Sequence, residues 1–155
     1  MSRIRQQEKA KLSREKLMAA ADELFARQKI SEVGVRDIAA RAGVTTGTFY
    51  HYFTGKDDIL DQIYRSRDAD MGGMLHDLAQ DTDSYCMKIQ SFFVDKLAGT
   101  VLSDGREFTC YRVFRMRKHS SDENSLYIGM QELIRKAINA GEFRGDVSAK
   151  EINDY

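Results

Sequence analysis

One glycine constrains this chain more than any other residue. Helix-forming signals run through Val35-Arg36-Asp37-Ile38-Ala39-Ala40-Arg41-Ala42, stop at Gly43, and resume at Thr45 after Val44. Gly34 stands at the N-cap of the first helix, Asp37 lies in its electropositive first turn, and Val35, Ile38, Ala39 and Ala42 give it an apolar face. Gly43 ends it, because glycine takes a left-handed backbone without the steric cost a Cβ imposes. Thr45 then caps a second helix, from Thr46 to about Phe53, with Thr48 at its third position. Two short helices so joined are held at a fixed angle. The first turn of the second, Thr46, Gly47 and Thr48, is small and polar enough to enter a DNA major groove closely.

A longer helix precedes this pair, from about Ser13 to Gln28. Leu17, Ala20, Ala21, Leu24 and Phe25 repeat on one face of it, and that stripe needs a partner. Ile38, Ala42, Phe49 and Phe53 supply one, which gives a three-helix domain of roughly fifty residues. Phe49 and Phe53 are therefore read as core, and Tyr52 as either core or contact.

This region resembles the DNA-binding domain of the tetracycline-repressor (TetR) family of bacterial transcriptional regulators. The resemblance rests on Ala20-Ala21, Leu24-Phe25, Val35-Arg36-Asp37-Ile38-Ala39, Ala42-Gly43-Val44-Thr45, Gly47-Thr48-Phe49-Tyr50-His51-Tyr52-Phe53, and Lys56 followed by Asp57-Asp58-Ile59-Leu60. Farther on, Gly141-Glu142-Phe143-Arg144-Gly145-Asp146-Val147 resembles the loop before that family's penultimate long helix. The pattern is broken at Lys29, where the family commonly has glycine, and at Val33-Gly34, where it commonly has two hydroxyl residues. Lys29 must either tolerate a left-handed turn or end its helix differently. Thr46 replaces what is often a larger polar or basic residue, which bears on base preference.

Geometry selects the DNA contacts. Thr45, Thr46, Gly47 and Thr48 form the tip of the second helix, where hydroxyls and amides meet phosphates or base edges. Tyr50 lies one turn on, His51 donates to phosphate or base, and Arg36 is a backbone contact from the preceding helix. Lys56 neutralises another phosphate, as the matching family lysine does.

The whole chain is neutral, but its charge is divided. Residues 1–56 hold eleven Lys and Arg against six Asp and Glu, a net of +5; the remainder holds thirteen against eighteen, a net of −5. A basic head on an acidic body suits a protein that meets a phosphate backbone at one end. Arg3, Arg5, Lys9, Lys11, Arg14 and Lys16 concentrate the charge at the start, where residues 1–12 read as a mobile arm, either a solvated tail or a DNA-tracking segment. An apolar signal core and a membrane-length apolar run are both missing from the sequence, so a cytoplasmic location is expected. Cys86 and Cys110 make no disulfide framework.

Beyond Gly55 the pattern is helical, uninterrupted by proline. A fourth helix starts near Lys56 and contains Gly72-Gly73, read as a kink or as a compliant point. A fifth covers about 82–103 and closes at a Ser103-Asp104-Gly105 turn. A sixth covers about 106–119 and a seventh about 121–140, ending at Gly141. In the sixth, Phe108, Arg112 and Arg115 fall within about 40° of one face, beside Tyr111, a surface able to hold an anionic effector or simply a solvated basic edge. His51, His76 and His119 form no metal-spaced pair, and no nucleophile elbow or phosphate loop is present, so neither an enzyme nor a metal or other cofactor is expected.

The expected fold class is all-α: a helix-turn-helix domain over residues 1–54 and a helical effector-binding and dimerisation domain over 55–155. The resemblance implies a ligand-responsive repressor that binds a double-stranded operator as a homodimer and answers a small-molecule effector. Relatives build most of the dimer interface from two long C-terminal helices. Here Ser148 and Glu151 make a capping box for a helix that hardly continues, so the chain either is incomplete or dimerises unusually. The alternative is a ligand- or protein-binding helical module whose head no longer binds operators.

Overall fold

The computed structural model describes residues 2–80, 84–118 and 124–154, and every regular element among them is helical. In order these are α1 (Ser2–Arg27), α2 (Val35–Arg41), α3 (Thr46–Tyr52), α4 (Lys56–Gln80), α5 (Tyr85–Ser91), a π-helical segment (Phe92–Leu97), α6 (Ala98–Lys118), α7 (Ser125–Asn139) and α8 (Ala149–Asp154). The chain divides into two compact units, Met1–Tyr64 with Asp104–Thr109, and Arg65–Ser103 with Cys110–Tyr155. The first unit is thus larger than the expected residues 1–54.

In the N-terminal unit α1 packs on α2 and α3, and α2 on α3. Leu17, Ala20, Ala21, Phe25, Val33, Ile38, Ala39, Phe49 and Phe53 are all buried, as the helical spacing requires. Leu24 and Ala42, expected in the same core, are half-buried. Residues 2–12 continue α1 rather than forming a mobile arm. Neither glycine nor proline interrupts them, most are strong helix formers, and Lys11 pairs with Glu15 one turn away at 3.9 Å.

In the C-terminal unit the core is Met71, Leu75, Ala79, Phe92, Leu126, Met130, Leu133 and Ile134. α4 and α7 run side by side in the same direction. Asp68 accepts from the Ser125 amide at 2.8 Å and Lys136 Nζ donates to the Ala79 carbonyl at 2.8 Å, both at an offset of 57 residues. Gly72 does not break α4, which continues through it. A Cβ there would lie 2.7 Å from Ser125 Cβ and 2.8 Å from its carbonyl oxygen, so the glycine lets α7 begin against α4. At Gly73 a Cβ would meet nothing within 4 Å.

The expected turn at Ser103-Asp104-Gly105 is absent, and α6 passes through it. Ser103 Oγ donates to the Thr100 carbonyl at 2.9 Å, which satisfies the hydroxyl inside the helix, and one glycine costs only about 1 kcal/mol there. The irregularity falls earlier instead, at the π-helical segment, whose widened turn is closed by the Ala98 amide donating to the Phe93 carbonyl. α7 begins at Ser125, and the expected start at 121 lies outside the described residues. It ends as read: Gly141 has φ +76°, with its amide on Ile138 and the Glu142 amide on Ala137, each at 3.0 Å. Ser148 and Glu151 form the expected capping box of α8, with amide-to-side-chain distances of 2.9 and 3.2 Å.

Candidate DNA-binding site

The unit formed by α2 and α3 is fixed at each junction by short-range bonds. The Asp37 carboxylate accepts from the Gly34 amide at 2.8 Å, and the Gly34 carbonyl accepts from the Asp37 amide at 3.1 Å. Val33 and Ile38, which flank this cap at the positions of a hydrophobic staple, are both buried. The departure at Val33-Gly34 therefore exchanges hydroxyl chemistry for an apolar anchor. Gly43 has φ +68°, its amide bonds Ala40 at 3.1 Å, and the Val44 amide bonds Ala39 at 3.0 Å, which is a Schellman closure of α2.

Thr45 caps α3 as the sequence predicts. Its Oγ1 accepts from the Thr48 amide at 3.1 Å and lies 3.0 Å from the Thr48 hydroxyl. These two hydroxyls hold the tip together as well as facing outward. Thr45, Thr46, Gly47, Tyr50 and His51 are exposed, with Tyr50 at 61 %, while Thr48 is half-buried. Phe49 and Phe53 are buried with ring centroids 5.5 Å apart, so their reading as core holds. Tyr52 is half-buried, and its ring stands edge-on to His51 at 4.8 Å. Arg36 is exposed in the first turn of α2.

Lys56 has a second occupation. Its ammonium donates to the Ile30 carbonyl at 2.7 Å, and Glu107 Oε2 accepts from the Ile30 amide at 2.6 Å. Both backbone groups of Ile30 are thus satisfied by side chains within the N-terminal unit. This resolves the problem at Lys29: α1 ends with the Gln28 amide on Leu24, and the Glu32 amide turns back to Lys29, each at 2.9 Å. No non-glycine residue among those described has positive φ.

Sequence reasoning missed the residues that orient the site. Arg41 on α2 grips Glu23 on α1, with Nε donating to Oε2 at 2.9 Å, and that hydrogen bond holds the Glu23 carboxyl below its usual pKa. Asp58 accepts from the Thr54 amide at 2.8 Å and from Gln62 Nε2 at 2.8 Å; the backbone bond first, then the glutamine, lowers its pKa. Arg14 donates to Gln62 and lies over the Phe53 ring at 5.7 Å. Asp58 alone carried a local signal, as an acid in the first turn of α4.

Of the expected effector surface, two residues can be followed, Phe108 and Tyr111, one turn apart on α6. Phe108 is buried in the N-terminal unit, whereas Tyr111, half-buried, belongs to the other. The side chains of Arg112 and Arg115 lie outside the described residues, as does His119. Among the described residues no cluster of three or more His, Cys, Asp or Glu suits a metal, and both cysteines are exposed and unbridged. No described helix is long and apolar enough to cross a membrane.

A model of the bacterial regulatory proteins of the tetR family matches residues 17–63, from the α1 stripe to the first turns of α4. Similar proteins include the transcriptional repressor KstR2 of Rhodococcus jostii, 35% identical over 65 residues that cover 42% of this chain and 32% of the relative. The regulator AcrR of Shigella flexneri is 33% identical over 72 residues, 46% of this chain and 33% of the relative. This chain therefore spans about a third of the length of the curated relatives it matches. Among solved structures, the regulatory protein TetR from Rhodobacter sphaeroides has a TM-score of 0.67 at 21% identity, covering 92% of this chain and 82% of that one. FadR from Bacillus halodurans gives 0.65 at 18%, covering 92% and 77%. Fold and head together define a class, helical regulators with an N-terminal helix-turn-helix. Within that class, residues 17–63 match the tetR family, and the fold of the chain is similar to that of solved tetR-type regulators.

Proposed function

We propose that this chain is a ligand-responsive transcriptional repressor that binds a double-stranded operator through α2 and α3. The observation that carries the reading is the tip of α3: capped, rigidly joined to α2, and presenting Thr46, Gly47, Tyr50 and His51 to solvent. Arg36 and the two remaining donors of Lys56 add phosphate contacts, on a head with net charge +5 over residues 1–56. With two hydroxyls engaged at the cap, Thr46 is the side chain best placed to set base preference. Repression follows the names of relatives such as KstR2. A homodimer places two heads on two operator half-sites, and a small-molecule effector shifts their arrangement only if it prefers one of the arrangements.

Fluorescence anisotropy tests this directly, with the duplex immediately upstream of the protein's own gene against random duplex of equal length. Tighter binding to the upstream DNA, with base preference altered by Thr46→Ala, is expected. Equal, weak binding to both favours a helical binding module over an operator reader.

A further inference from the structure

The C-terminal unit contains a cavity of about 170 Å³ whose chemistry differs from the cationic surface expected from the sequence. Its walls are Phe92, Phe93 and Leu97 from the π-helical segment and Leu126 and Met130 from α7. Phe92 is buried and forms the floor; Phe93, 48 % exposed, stands at the mouth, edge-on to Phe92 with centroids 5.9 Å apart. The polar corner is Tyr127 with Asn153, and both are already engaged. Asn153 Nδ2 donates to the Tyr127 carbonyl at 3.0 Å, and the Tyr127 hydroxyl donates to Asp154 at 2.5 Å. Among the described residues that line it, none carries a formal charge.

We infer that this cavity binds a small, uncharged, apolar molecule about one aromatic ring in size. An anion buried here would lose its hydration and find no cation among the described lining residues. A neutral ring loses little and continues the edge-to-face stack that Phe92 and Phe93 begin. The size agrees: an apolar protein cavity of about 150 Å³ stays dry and takes up benzene. Phe92, Phe93 and Leu97 come from a π-helical segment, an irregularity that recurs at functional sites. The inference deepens the ligand-responsive reading and rests on it only for its consequence at DNA.

The test is thermal unfolding of the full chain with toluene, and with benzoate at equal concentration. Toluene raises the transition midpoint and benzoate leaves it unchanged. Leu97→Phe fills the space and weakens toluene binding at least about tenfold. Should that variant fail to fold, Phe93→Ala, altered at the exposed mouth, serves in its place with the same direction of effect. An absent toluene shift, an equal benzoate shift, or toluene binding unaltered in the folded variant overturns the proposal. DNA affinity is measured separately, so the two readings fail differently. Toluene binding that leaves DNA affinity unchanged keeps the site and removes the ligand response; salt-dependent DNA binding without toluene binding removes the site and keeps the DNA-reading role.

Discussion

The α2–α3 unit of the head and the helix starts of the body use the same helix-ending devices but differ in how far along the chain the bonds at those junctions reach. In the head, Gly34 with Asp37, Gly43 with Ala40, and Thr45 with Thr48 each act within a few residues. In the body, the start of α7 depends on Asp68, which takes the Ser125 amide at 2.8 Å from another helix, beside Asn124, which takes that of Tyr127 at 2.9 Å. The start of α5 depends on Glu142, whose carboxylate accepts from Ser84 Oγ at 2.7 Å and from the amides of Tyr85 and Cys86 at 3.0 and 2.9 Å. Local bonds make the geometry of the α2–α3 unit a property of its own short sequence, whereas the end of α1 is held from afar by Lys56 and Glu107. The body's geometry exists only once distant segments have met.

Two glycines put this contrast to the test. Gly72→Ala drives a Cβ into the Ser125 backbone and should destabilise the body by about 1–3 kcal/mol, read as a lower urea midpoint. Gly73→Ala, one residue on and in open space, should instead stabilise by up to about 1 kcal/mol. Equal effects from the two would make helix flexibility, not close approach, the reason for the pair.

A smaller effect is expected in the head. Gly43→Ala meets no atom within 4 Å, so only its left-handed φ of +68° opposes it, costing about 1 kcal/mol. The substitution should lower the thermal midpoint and weaken DNA binding through a displaced α3. A fully stable variant with unchanged affinity would show that the Schellman closure does not set the angle.

The smallest effect concerns pH. Hydrogen bonds from the Cys86 amide, then the Ser84 hydroxyl and the Tyr85 amide, hold the Glu142 carboxyl below its ordinary value. A carboxyl with a depressed folded pKa contributes stability above its unfolded pKa, and that contribution is lost as pH falls through the folded one. Glu142→Gln should therefore lower stability at neutral pH and flatten its decline below the usual carboxylate range. Urea titrations at several pH values read this; an unchanged acid slope removes Glu142 from the proton-linked set.

The same contrast explains how much the sequence revealed. Helix starts and stops at Gly34, Gly43, Thr45, Gly141 and Ser148 were legible because each uses a residue type with a local job. The character of Gly72 was not, since the reason for it stands at Ser125 on another helix. Nor was continuity through Gly105, where α6 persists without a local turn. Phe108 shows the limit for the site. Its place on a helix face beside Arg112 and Arg115 was readable, but its burial in the N-terminal unit depends on tertiary packing. The tip of α3 was legible throughout; Glu23, Glu107 and Gln62, which steady its surroundings, gave no local signal.

The central claim is that the head meets a phosphate backbone with the α2–α3 face. The most direct measurement is the salt dependence of duplex binding, for the native chain and for Arg36→Ala, whose side chain is exposed. Binding should fall linearly on a log–log plot against salt, and the variant should bind all duplexes more weakly with a slope reduced by about one ion. Binding that ignores salt, or an Arg36→Ala slope equal to the native one, would contradict this placement of the head on DNA.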